Sequence, residues 1–146
     1  MAMGAQWTNL MNFLIYLGIS LLLMGLGLWV FMLITSYKEF KMIGEGGTEI
    51  NGKAASATAA AYTLGGKILG LALVLASAVF HSVNPFDLIL WGLIGIGFQI
   101  LICYLYELVT PFKVSAEISK GNVAAGVLSA FISVSSGLLL AALISY

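Results

Sequence analysis

LMNFLIYLGISLLLMGLGLWVFMLI (residues 10–34) runs for 25 residues without a charge and is closed by Thr35-Ser36-Tyr37-Lys38. Crossing the hydrocarbon of a bilayer takes roughly 20 apolar residues at about 1.5 Å rise each, so this run reads as a membrane-spanning helix. It is longer than the hydrophobic region of a secretory leader and no cation precedes it, which predicts that it stays in the mature protein. Three further stretches meet the same length criterion, giving spans at about residues 11–35, 58–80, 88–109 and 123–145. The second is the weakest, because Ala54 to Tyr62 is alanine, serine and threonine rather than leucine. Its membrane portion is expected to start near Ala61.

Composition agrees. The chain is 61% hydrophobic and 8% charged, where a water-soluble domain carries about 25% charged residues. Lipid must cover much of the surface. Six Lys+Arg balance six Asp+Glu, so no basic field exists to hold nucleic acid. Cys103, the single cysteine, has no disulfide partner and reads as a packing residue. The reading is therefore an all-α, polytopic membrane protein with four transmembrane helices.

The lysines orient it. Lys38, Lys41 and Lys53 lie between the first two spans and Lys113 and Lys120 between the last two, while the 81–87 turn and both ends carry none. The positive-inside rule predicts cytoplasmic lysine loops and both termini outside. Trp7, Phe86, Trp91 and Tyr146 then fall at the outer boundary, and Tyr37 and Phe112 at the inner one.

The two halves read as a duplication. Thr35-Ser36-Tyr37-Lys38 recurs as Thr110-Pro111-Phe112-Lys113 at an offset of 75, as do Ile43 and Gly46 in Ile118 and Gly121; further on, Thr58-Ala59-Ala60 matches Val123-Ala124-Ala125 at an offset of 65. The first loop thus holds ten surplus residues (75 − 65), Gly44 to Lys53, expected to be mobile. Residues 1–81 and 82–146 become two helical hairpins of one membrane domain, related as parallel repeats because both enter from the same side.

With Thr58-Ala59-Ala60, Gly66, Leu69 and Gly70, then Asp87, Trp91-Gly92 and Gln99, then Glu117-Ile118, Asn122, Ala124-Ala125-Gly126 and Gly137, the chain resembles the YjfL-like bacterial membrane proteins, domain of unknown function number 350. The resemblance covers essentially its whole length and implies a four-helix inner-membrane protein with no assigned enzyme activity. Where those proteins tend to open the second span on asparagine, this chain has Ala57.

Small residues mark the expected helix contacts. Gly126, Ala130, Ser133, Gly137 and Ala141 share one face of the fourth span, and Ala59, Thr63, Gly66 and Gly70 one face of the second. In lipid such faces let backbones approach and supply packing energy; they predict packing of the second span on the fourth, or an oligomer seam. Asn122 is placed to cap the fourth span. Three polar side chains fall inside the membrane: Lys67, Gln99 and Glu107. An unpaired lysine at a span's centre costs about 2.5–3.5 kcal/mol on insertion scales. Lys67 is therefore expected to snorkel or to pair with Glu107, with an ion or proton path as the alternative, and Gln99 to clamp two helices or to line a pore.

His81 and Asp87 at the outer turn fall short of a metal site. Neither a catalytic triad nor a phosphate-binding glycine loop is present in the sequence, and no metal or cofactor is expected. Two functions fit: a non-enzymatic helical subunit that assembles with itself or with a larger membrane complex, or a minimal channel or transporter through Lys67, Gln99 and Glu107. The first is preferred because a conduit needs polar residues along the full membrane depth.

Overall fold

A computed structural model describes residues 2–46 and 53–145. Over these the chain is helical in six pieces: α1 (Ala2–Ile34), α2 (Glu39–Glu45), α3 (Lys53–His81), α4 (Pro85–Val109), α5 (Val114–Ser119) and α6 (Val123–Ile144). Four of them, α1, α3, α4 and α6, are long and apolar enough to cross a membrane. Together with the composition this makes the chain a multi-pass membrane protein. The short helices α2 and α5, each following a span and opening on a lysine cap, Lys38 and Lys113, were not separable from loop in the sequence. The surplus of residues 44–53 is partly structured: Gly44 and Glu45 end α2 and Lys53 begins α3. Its middle, residues 47–52, lies outside the described residues, as does Tyr146.

α3 is the hub. It packs most extensively against α6 and also touches α1, α2, α4 and α5. Half of its most apolar window is buried inside the protein, against 17–28% for the other three spans. This explains why it is the least leucine-rich span: a helix covered by other helices rather than by lipid needs small residues, not large apolar ones. Gly126 lies against the Ala59 backbone, Gly66 against Ala130, Gly70 against the Ser133 carbonyl, and Gly137 against Gly70, so closely that a Cβ at any of these glycines would strike the opposite backbone. Ala141 closes the seam at the far end, its carbonyl accepting from Ser77 Oγ at 2.6 Å. The small-residue faces of the two spans thus meet each other.

α1 is peripheral. Leu23, Gly27 and Phe31, spaced four apart, form its buried stripe, with Leu23 and Phe31 in a core shared with Leu71, Leu75, Ala78, Leu88 and Ile96 of α3 and α4. Residues 4–15 are all exposed, a length of about 18 Å at 1.5 Å per residue.

The ends are set locally. Asn122 Oδ1 accepts from Ala125 N at 3.2 Å and caps α6, while Gly121 ahead of it sits at φ +91, open to glycine at no steric cost. Asn84 Oδ1 caps α4 by accepting from Asp87 N at 3.0 Å, and Asp87 Oδ2 accepts from Val83 N in return. Pro85 is the first residue of α4, where its missing N–H is no loss.

Candidate functional site

At the lysine-bearing end of the bundle, Thr35 and Glu39 stand at either side of the α1–α2 corner. α2 folds back against α3, and this carries Glu39, its first residue, onto Lys67. Lys67 Nζ donates to Glu39 Oε1 at 2.7 Å and to Thr35 Oγ1 at 2.7 Å, with the Phe31 ring 5.8 Å away. Both partners are buried, Glu39 3% and Lys67 6% exposed. Thr35 Oγ1 in turn donates to Phe31 O at 2.8 Å, so the hydroxyl is held with its lone pairs toward the ammonium.

The expected pairing of Lys67 with Glu107 is therefore corrected. Glu107 accepts from Ser115 N and Ser115 Oγ, both at 3.4 Å, while the lysine's counter-ion comes from the connection between the first two spans. The physical reason is the short amphipathic helix: with Phe40 outward and Glu39 inward, α2 returns its first turn to the bundle. The available signal was the pattern Glu39-Phe40-Lys41-Met42-Ile43, too short to outweigh a loop reading.

Lys67 and Glu107 nonetheless share a cavity of about 220 Å³ between α1, α3, α4, α5 and α6, which Thr35, Tyr37, Thr63, Cys103, Tyr106, Ser115, Ser129 and Ser133 also line. Burial first and the Glu39 charge second push the Tyr37 phenol above its ordinary range, its hydroxyl lying against Thr63 and Glu39. Two buried oxygens, Glu39 Oε2 and Tyr106 Oη, have no hydrogen-bond partner among the described residues.

Gln99 is fully buried. Its Nε2 donates to Ser133 O at 3.4 Å and its Oε1 accepts from Ser136 Oγ at 3.2 Å, tying α4 to α6. Beyond this level Val74, Leu140 and Ile144 form an apolar core, flanked by Trp91. The buried polar side chains of the seam thus concentrate in the lysine-bearing half as far as Gln99 and Ser136, and beyond them Ser77 Oγ donates to Ala141 O. Among the described residues His81 and Asp87 make local bonds, His81 Nδ1 to Ser77 O at 2.9 Å and Asp87 within the α4 cap.

The model of the family described as Domain of Unknown Function (DUF350) matches residues 5–144. The chain belongs to that family. It is similar to the UPF0719 transmembrane protein YshE of Bacillus subtilis (strain 168), 33% identical over 142 residues that cover 96% of this chain and 98% of the relative. No solved structure matches it.

Proposed function

We propose that the chain is a non-enzymatic subunit of the bacterial inner membrane, which acts by assembling with copies of itself or with a larger envelope complex. The exposed opening of α1 carries this reading. Residues 4–15 are all exposed, and they include Trp7, Leu10, Met11, Phe13 and Leu14, 46–66% exposed. A membrane helix gains stability from packing against other helices, and among the described residues this segment leaves large apolar side chains uncovered. The closed apolar seam at Val74 and Leu140 weighs against a conduit within one copy, since conduction requires a polar lining along the whole depth. In this reading the lysine loops face the cytoplasm and both termini lie outside, following the lysine asymmetry, and the two hairpins descend from one duplicated unit.

The test is proximity crosslinking. With Cys103 replaced by serine, a single cysteine at Leu14 should give a disulfide-linked dimer in membranes, and one at Leu143, on α6, should not. Cysteines at Ser36 and Ser119 should be protected from impermeant reagents added outside, while one at Ser82 should label. A monomer throughout, together with ion flux in liposomes of the purified protein, would replace assembly by transport.

A further inference from the structure

We infer that the cavity beside Glu107 is a binding site for a small primary ammonium, held by the Glu107 carboxylate among the hydroxyls of Ser129, Ser133 and Tyr106. The inference stands apart from the assembly reading, because it concerns the interior of one copy.

Charge decides the sign of the ligand. The cavity wall carries Lys67 and Glu107, but the lysine is already met by Glu39 at 2.7 Å. One cation therefore stands against two carboxylates. Glu107 forms no ion pair within 4.0 Å among the described residues; Lys38 and Lys113, the cations nearest in sequence to this end of the bundle, lie on the exposed surface. The two bonds Glu107 accepts are both 3.4 Å, long beside the roughly 2.7–2.9 Å of a charge-assisted bond to a carboxylate. A partly buried carboxylate left so weakly satisfied is stabilised by a cation and destabilised by an anion.

Size and lining decide the kind of cation. At about 220 Å³ the cavity has the room of about seven waters, taking about 30 Å³ for each. That is more than one bare metal ion fills. Ile34, Ile118 and Ile132 form apolar parts of the wall, suited to a short aliphatic body. Around Glu107 the polar parts offer acceptor oxygens: the carboxylate, the serine hydroxyls and the buried, unpartnered Tyr106 Oη, the hydroxyls being able also to donate. An –NH₃⁺ group has three donors and no acceptor, and these oxygens can accept all three. The ammonium belongs either to a soluble amine or to the headgroup of an aminophospholipid, since Tyr104 and Ile34, which line the cavity from the spans α4 and α1, are exposed on the surface of the bundle.

Binding is measured on the full chain in phosphatidylcholine nanodiscs, by calorimetry and by thermal unfolding, with ethylammonium chloride as probe. Tetramethylammonium, of equal charge but without N–H donors, and sodium acetate are the controls. A second arm compares discs with and without phosphatidylethanolamine. Ethylammonium should bind and raise the unfolding midpoint, tetramethylammonium and acetate should not, and Glu107→Gln should weaken binding at least about tenfold, the loss expected for one charge-assisted hydrogen bond. Ser129→Leu, which fills the cavity and leaves the carboxylate in place, should abolish it. A response confined to phosphatidylethanolamine discs assigns the site to the lipid headgroup, and one to ethylammonium in phosphatidylcholine discs to a soluble amine. If Glu107→Gln fails to fold, Glu107→Asp and Ser129→Leu carry the test. An unchanged response in these variants, an equal response to tetramethylammonium, or no response from either source overturns the proposal.

Discussion

The first half of the chain and the second share one sequence of elements, a long helix, a short helix and a long helix, but they fill the inner corner of that arrangement differently. Thr35 and Thr110, 75 residues apart, each donate to the carbonyl four residues back, Phe31 O at 2.8 Å and Tyr106 O at 2.9 Å. Lys38 and Lys113 each hold the N-cap position of the short helix that follows, without a side-chain capping bond. One position later the halves part: Glu39 and Val114 are both 3% exposed, one facing Lys67, the other packed with Ala59, Ala60, Ile118 and Ala125. At an offset of 65 the counterpart of Lys67 is Ile132. At these two positions the second half thus has apolar residues where the first has an ion pair. Halves of the same element order thus differ here, an ion pair in one and apolar packing in the other.

The sharpest way to break this comparison is to impose the second half's residues on the first. Lys67→Ile or Glu39→Val alone should cost about 3–5 kcal/mol, because each leaves a buried charge without its partner. The double substitution should recover most of that loss or exceed the native stability. Unfolding in mixed micelles followed by circular dichroism gives the four corners of the cycle. Additive losses would mean that the ionic corner is structurally necessary after all.

The seam between the halves gives the next largest effect. Gly66→Val would drive a side chain into the Ala130 backbone, with a loss of about 1–3 kcal/mol or more for overpacking. The adjacent Gly65 has nothing within 4 Å of a built Cβ, so Gly65→Ala should instead stabilise by up to about 1 kcal/mol through helix propensity. Thermal unfolding of the two variants should move in opposite directions. A common sign would show that the α3–α6 contact is looser than described.

Asn122→Ala removes the side-chain cap of α6 and should cost about 1 kcal/mol, seen as faster amide exchange in the first turn of α6. The smallest effect is a pH dependence beside that cap. Bonds from Lys120 first and Asn122 second hold the Glu117 carboxyl below its ordinary 4.5. A carboxyl whose folded value is depressed adds stability above the unfolded value and loses it as pH falls through the folded one. The α5–α6 corner should therefore loosen below about pH 4.5, and Glu117→Gln should flatten that dependence in the Asn122 amide resonance. The first hairpin, with Ala57 at the position corresponding to Asn122, should show no matching transition at α3.

The four spans were legible because length and apolarity are local properties, and the α3–α6 contact was legible because small residues at helical spacing leave a face that only another backbone can fill. The ionic corner was not. Glu39 lies in a seven-residue helix whose position depends on a chain reversal, and no periodicity fixes where so short an element returns. Glu107 was the better partner by depth alone, but depth in the membrane says nothing of azimuth around the bundle. The cavity was invisible for the same reason, since its lining is drawn from five helices.

Glu39 precedes Lys67 by 28 residues, and this order bears on how the protein is made. When α3 leaves the ribosome and meets the insertion machinery, its counter-ion has already been synthesised and belongs to the same hairpin. The lysine can be neutralised as the two spans partition together. A partner at Glu107 would have come 40 residues later (107 − 67), which at about 5–20 residues per second leaves a bare ammonium waiting for about 2–8 s. By using an acid from upstream, the chain makes its most polar span competent to insert on the schedule of its own translation.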